Sequence, residues 1–128
     1  MPSHVFNVLI VDDSKLARMA IAKAMNKLHP DWARTEASNA DDALALAGQQ
    51  PFDIALLDFN MPGRDGLQLA SELRDLMPGI AMAIISANHQ KEIVAQAHDV
   101  GAIFLSKPLT EDELGQFLAQ VQLSKGTM

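Results

Sequence analysis

The sequence predicts an α/β fold, a doubly wound parallel sheet with helices on both faces. Short apolar runs recur at 5–11 (VFNVLIV), 52–58 (FDIALLD), 80–86 (IAMAIIS) and 102–106 (AIFLS), each ended by a polar residue. Runs that do not alternate apolar with polar read as strands buried on both faces. Segments with helical spacing lie between them, so strand and helix alternate along the whole chain, the pattern of right-handed crossovers between parallel strands. Size is the third observation. With 128 residues, 48% hydrophobic and 20% charged, the chain buries a real core in one domain and leaves little room for a second.

In chain order, the strand at 5–11 leads to a helix over 14–28. Leu16, Met19, Ala20, Ala24 and Leu28 share one stripe of this helix, and Asp13 or Ser14 caps its first turn. The polar segment ARTEAS (33–38) reads as an edge strand, and the Ala-rich 40–50 as a short helix stopped by Pro51. After the strand at 52–58, a helix over 65–77 turns Leu67, Leu69, Ala70, Leu73 and Leu76 toward the core and stops at Pro78-Gly79. The strand at 80–86 and a helix over 89–100 come next, with Gly101 suited to the C′ position. The last strand, 102–106, precedes a helix over 110–123 with Thr110 and Glu113 at capping-box spacing and Leu114, Phe117, Leu118 and Val121 as its apolar stripe. One domain is expected over 1–124, with 125–128 a loose tail.

Composition excludes several function classes. The net charge is −6 and the ten Lys/Arg are scattered, so no basic stripe meets a phosphate backbone and direct nucleic-acid binding is not expected. Without cysteine there is neither a disulfide framework nor a thiolate metal site, which fits a reducing cytoplasm. No apolar stretch reaches membrane-spanning length, and MPSHVFN lacks the regions of a signal peptide. A cytoplasmic protein without membrane contact is the expectation.

Parallel doubly wound sheets place their sites outside the carboxyl ends of the strands, where strand order reverses. Those ends carry Asp12 and Asp13, Asp58, Ser86, and Lys107-Pro108. Two carboxylates about 4 Å apart repel by roughly 4 kcal/mol at an effective dielectric of 20, so three need a neutralising partner or must hold protons. With no Cys, and with His4, His29, His89 and His98 lacking ligand spacing, the ligands are oxygens, which suits Mg²⁺ or Mn²⁺. A few carboxylates around Mg²⁺ leave room for a phosphate. The residues thus suggest phosphoryl chemistry: Asp58 attacks phosphorus, Asp12 and Asp13 hold the metal, and Lys107 and Ser86 receive the phosphoryl oxygens.

The ordered set Asp12-Asp13-Ser14, Asp58, Met61-Pro62, Asp65-Gly66, Ser86-Ala87 and Lys107-Pro108 resembles the receiver domains of bacterial two-component response regulators. The resemblance spans nearly the whole chain. It implies a flavodoxin-like (βα)5 fold with strand order 2-1-3-4-5, and transfer of phosphate to Asp58 from the phosphohistidine of a sensor histidine kinase or a phosphotransfer protein. It also implies that Asp13 and the backbone carbonyl of Asn60 join Asp58 around Mg²⁺, with Asp12 orienting water, and that Pro62, Gly66 and Pro108 are structural. By the same resemblance Ser86 and Phe104 form the switch: Ser86 moves toward the phosphate and Phe104 packs inward, remodelling the face of the fourth helix, fifth strand and fifth helix. A downstream protein target, or an output domain not in this chain, reads that face, and a phosphorylation-dependent dimer is a further implied state. Such a domain is a signalling phosphoacceptor that catalyses only its own phosphorylation and dephosphorylation.

Asn60 and Asn88 lie two residues beyond Asp58 and Ser86, where the family varies and side chains affect attack by water on the acyl phosphate. Other classes fit less well. A Mg²⁺-dependent phosphatase with an aspartyl nucleophile is expected to carry a second carboxylate at the position of Asn60 and a cap domain. Flavin binding requires a Ser/Thr/Gly-rich loop after the first strand. A pseudo-receiver, used for protein contacts without phosphorylation, shares the fold, and phosphorylation itself discriminates it.

Overall fold

The computed structural model describes residues 5–61, 63–87 and 91–126. Its elements run β1 (Asn7–Val11), α1 (Lys15–Leu28), β2 (Ala33–Ala37), α2 (Ala40–Ala47), β3 (Ile54–Asp58), α3 (Gly66–Leu76), β4 (Ala81–Ser86), α4 (Lys91–Asp99), β5 (Ala102–Ser106) and α5 (Glu111–Gly126). The strands form one parallel sheet in the order β2-β1-β3-β4-β5. Every expected strand and helix is present, in the flavodoxin-like order.

Alternation along each strand feeds two cores. Val8 and Ile10 of β1, with Ile54 and Leu56 of β3, meet Ile21 and Met25 of α1 and Leu114, Phe117, Leu118 and Val121 of α5. Leu9 and Val11, with Ala55 and Leu57, meet Ala40 and Ala43 of α2, Leu69, Ala70 and Leu73 of α3 and Ala97 of α4. Burying one such Leu or Ile stabilises by about 1.5–3 kcal/mol, so the central strands, buried along nearly their whole length, anchor their carboxyl ends rigidly. The small side chains of α2 let it lie close to the sheet.

Several expectations are corrected. Leu16 and Met19 are exposed, Leu16 at 78%; α1 instead turns Ile21 and Met25 inward. The helix is apolar on most of its circumference, and the larger Ile21 and Met25 fill the space over β1 and β3. Leu76 is exposed in the last turn of α3, beyond the edge of the sheet-facing stripe. β5 is not buried on both faces: as the edge strand it exposes Ile103. α2 ends at Ala47, where Gly48 provides the C-cap, rather than at Pro51. α5 runs to Gly126, and Lys125 in its last turn donates to the Gly79 carbonyl and complements the helix C-terminus. Expectations for Pro62, Asn88, His89 and His4 lie outside the described residues.

The caps hold. Ser14 Oγ accepts from Ala17 N–H at 3.2 Å, Asp65 Oδ1 from Gln68 N–H at 2.9 Å, and Thr110 Oγ1 from Glu113 N–H at 3.1 Å. These caps fix the turns after β1 and β5 and the N-terminus of α3, all next to the carboxyl edge of the sheet.

Candidate functional site

The parallel register brings the strand ends together. Val11 pairs with Leu57, so Asp12 and Asp58 occupy the next row, at the β1/β3 junction where the strand order reverses. Asp58 lies beside Ile85 of β4, and Ser86 is one row further, beside Ser106. Lys107 N–H donates to the Ser86 carbonyl at 3.0 Å, which extends β5 and returns the lysine side chain toward β3.

At the centre, Lys107 Nζ donates to Asp58 Oδ1 at 2.8 Å and stands 3.5 Å from Asp12 Oδ2. Asp12 and Asp58 are 2% and 3% exposed, while Asp13 is exposed at the rim. Asp12 Oδ1 also accepts the Ser14 N–H at 2.9 Å, which ties the carboxylate to the start of α1. Each of the three aspartates offers an oxygen within 4.8 Å of the others. Three carboxylates and one ammonium leave two negative charges concentrated in a half-buried cleft.

The titration of the groups reflects this imbalance. Burial pushes the Asp58 carboxyl above its usual range; the Lys107 hydrogen bond opposes this, and the charges of Asp12 and Asp13 add to it. Burial works to lower Lys107, but the hydrogen bond and charge of Asp58, with Asp12, outweigh it and hold the ammonium above its usual value. Lys107 therefore stays charged, and its single charge faces the carboxyl groups of three aspartates. An all-oxygen donor set in that condition fits a hard divalent cation such as Mg²⁺ or Mn²⁺.

Gly66 is where the sequence pattern and the site geometry meet. A Cβ at Gly66 would lie 2.5 Å from the Asp58 carbonyl oxygen and 3.1 Å from Phe59 Cα, because the α3 N-terminus packs directly under the end of β3. Gly66 N–H donates to the Phe59 carbonyl at 3.0 Å across that contact. Backbone cannot yield as a flexible side chain does, so Gly66→Ala is expected to destabilise the fold by about 1–3 kcal/mol in urea unfolding. An unchanged midpoint would show that α3 moves aside freely.

The remaining expected residues divide. Ser86 is 1% exposed beside the carboxylates. Asn60 is exposed and lines an open concavity with Asp13, Phe59, Met61 and Asp65. Phe104 is half-buried on β5 and packs against the core on the α2, α3 and α4 side. Pro108 lies on the rim of an apolar cavity of about 460 Å³ whose walls include Ala17, Ala20 and Ile21 of α1. The sequence reading missed Arg18, whose guanidinium reaches back to the Asp12 main chain; its place one turn past the Ser14 cap was the available signal.

Residues 8–119 match the family described as "Response regulator receiver domain". The chain belongs to the response regulator receiver family. Among curated relatives, it is 35% identical over 119 residues to the glycerol metabolism activator of Pseudomonas putida, covering 91% of this chain and 54% of that protein. It is 40% identical over 118 residues to the positive alginate biosynthesis regulatory protein of Pseudomonas aeruginosa, covering 88% and 45%. The chain thus spans about half the length of these relatives. The Vibrio cholerae chemotaxis protein CheY4 superposes with a TM-score of 0.83 at 25% identity, covering 92% of this chain and 99% of that one. A CheY-like receiver domain from Methanospirillum hungatei gives 0.87 at 20% identity, covering 98% and 100%, a likeness of fold. A receiver domain is a signalling module rather than a classical enzyme.

Proposed function

We propose that this receiver domain accepts a phosphoryl group on Asp58 from the phosphohistidine of a sensor histidine kinase or phosphotransfer protein, in the cytoplasm. The observation that carries the reading is the buried Asp58 carboxylate, 2.8 Å from Lys107 and clustered with Asp12 and Asp13. An Asp58 oxygen attacks phosphorus, the P–N bond breaks with its electron pair returning to the imidazole, and an acyl phosphate results. Lys107 and Ser86 flank Asp58 and would receive the phosphoryl oxygens. Asp13, Asp58 and the Asn60 carbonyl, with Asp12 through water, would hold Mg²⁺ or Mn²⁺. When bound, that ion neutralises charge on the transferring oxygens.

Residues 1–124 act as a single receiver unit in this reading. Movement of Ser86 toward the phosphate and inward packing of Phe104 would remodel the face of α4, β5 and α5, where a protein target, an output domain or a second copy binds. Phe104 already packs part-way into the core and β5 is an exposed edge, so a small repacking changes what that surface presents. Among the described residues no helix is long and apolar enough to cross a membrane, and the net charge of −6 gives no support to direct nucleic-acid contact.

Intact mass after incubation with acetyl phosphate and Mg²⁺ tests this reading. A single phosphate adduct that disappears in EDTA is the expected result. No adduct, together with no beryllofluoride binding, would instead mark a constitutive interaction module that shares the fold.

A further inference from the structure

Arg18 lies on α1 one turn beyond the Ser14 cap, with a side chain 15% exposed. Its Nη1 donates to the Asp12 backbone carbonyl at 2.7 Å, and its Nε to Glu36 Oε1 of β2 at 3.0 Å. Asp12 N–H meanwhile donates to the Ala37 carbonyl at 3.2 Å. The Asp12 main chain is therefore held at both ends, its amide by β2 and its carbonyl by a guanidinium that β2 anchors.

The Asp12 carbonyl matters because it belongs to the peptide unit that carries Asp13. A peptide unit is planar, so the Asp12 oxygen and the Asp13 Cα lie in one plane, and fixing the first limits where the second can stand. Buried Asp12 has its own tether through the Ser14 N–H. Asp13 is exposed, and no hydrogen bond or ion pair to a described residue holds its carboxylate. Its aim is inherited from the backbone.

We infer that Arg18 is a positioning residue: by clamping the Asp12–Asp13 peptide from β2, it aims the Asp13 carboxylate at Asp58 and thereby sets the affinity of the cluster for a divalent cation. The inference rests on the receiver reading of that cluster. Arginine suits the task because one rigid planar fork serves two acceptors at once, whereas a lysine ammonium is a single point on a flexible stem. A strut between α1 and β2 would need the Glu36 contact alone; the shorter bond goes to Asp12.

Calorimetric titration with MgCl2 at fixed ionic strength, beside metal-free thermal melts, separates the two roles in wild type, Arg18→Ala and Arg18→Lys. Removing an outer-shell partner of a metal site typically costs about ten- to a hundredfold in affinity, and Arg18→Ala is expected to lose Mg²⁺ affinity in that range. Arg18→Lys, which reaches one acceptor, is expected to lose less. Wild-type Mg²⁺ affinity in Arg18→Ala, with a lowered melting temperature alone, would overturn the inference and leave a strut. Should that variant not fold, wild-type affinity in Arg18→Lys overturns it equally. A wild-type chain that binds Mg²⁺ yet neither takes phosphate from acetyl phosphate nor binds beryllofluoride defeats the phosphoacceptor reading, while the affinity ratios still decide the role of Arg18. Absence of Mg²⁺ binding in wild type defeats both.

Discussion

Asp58→Asn is expected to abolish the phosphate adduct completely while making the metal-free protein more stable at neutral pH. The amide oxygen still accepts from Lys107 but offers no nucleophilic carboxylate and no charge to bury. Asp58 titrates above its usual 3.8 because it is buried, with the charges of Asp12 and Asp13 adding to the shift and Lys107 opposing it. A raised carboxyl stabilises the fold fully below 3.8, and that contribution is lost as pH climbs through the folded value. The wild type loses it as pH rises, whereas the asparagine carries no such cost. Melts in EDTA from about pH 4 to pH 7 should therefore show the variant's advantage growing with pH. Mg²⁺ reverses the comparison: a ligand bound only to the native state stabilises by about 2.7 kcal/mol at a hundredfold excess over its Kd, and the variant, short of one ligand, gains less. A variant less stable than wild type in EDTA at pH 7 would mean that Asp58 is well compensated without metal.

The sheet and its acidic edge were legible because both depend on local patterns that the topology then fixes. Unbroken apolar runs could be strands buried on both faces, and a parallel sheet places every strand end on one edge, so Asp12, Asp58 and Lys107 had to converge once the alternation was recognised. Helix faces were harder. α1 carries apolar residues nearly all round, and the choice of Ile21 and Met25 over Leu16 and Met19 is made by the space above β1 and β3, which no periodicity records. The exposure of Ile103 comes from the place of β5 at the end of the strand order, not from its composition. Arg18 was hard to read for a related reason: its partners are a main-chain oxygen and a residue on β2, 18 positions away. The site was readable in its charges and not in what holds them.

Lys107→Ala is expected to act in the opposite direction to Asp58→Asn on the metal-free protein. It removes the ammonium that Asp58 contacts at 2.8 Å and Asp12 at 3.5 Å, leaving three carboxylates together. Breaking a fully buried pair costs about 3–5 kcal/mol, but this lysine side chain is 34% exposed and water partly replaces it. A loss of about 2 kcal/mol at pH 7, toward the lower end for an orphaned charged acceptor, is the reasonable figure. The deficit should narrow as pH falls, because Asp58 takes up a proton more readily without its cation, and it should narrow again in Mg²⁺, which meets two carboxylates with no ammonium to repel it. Urea unfolding in EDTA and in Mg²⁺, at pH 7 and near pH 5, reads all three effects. A Lys107→Ala deficit unchanged by either proton or metal would place its origin in lost packing rather than charge. Opposite signs for the two variants in EDTA would have one cause, since one substitution removes an excess negative charge and the other removes the positive charge that the remaining carboxylates depend on.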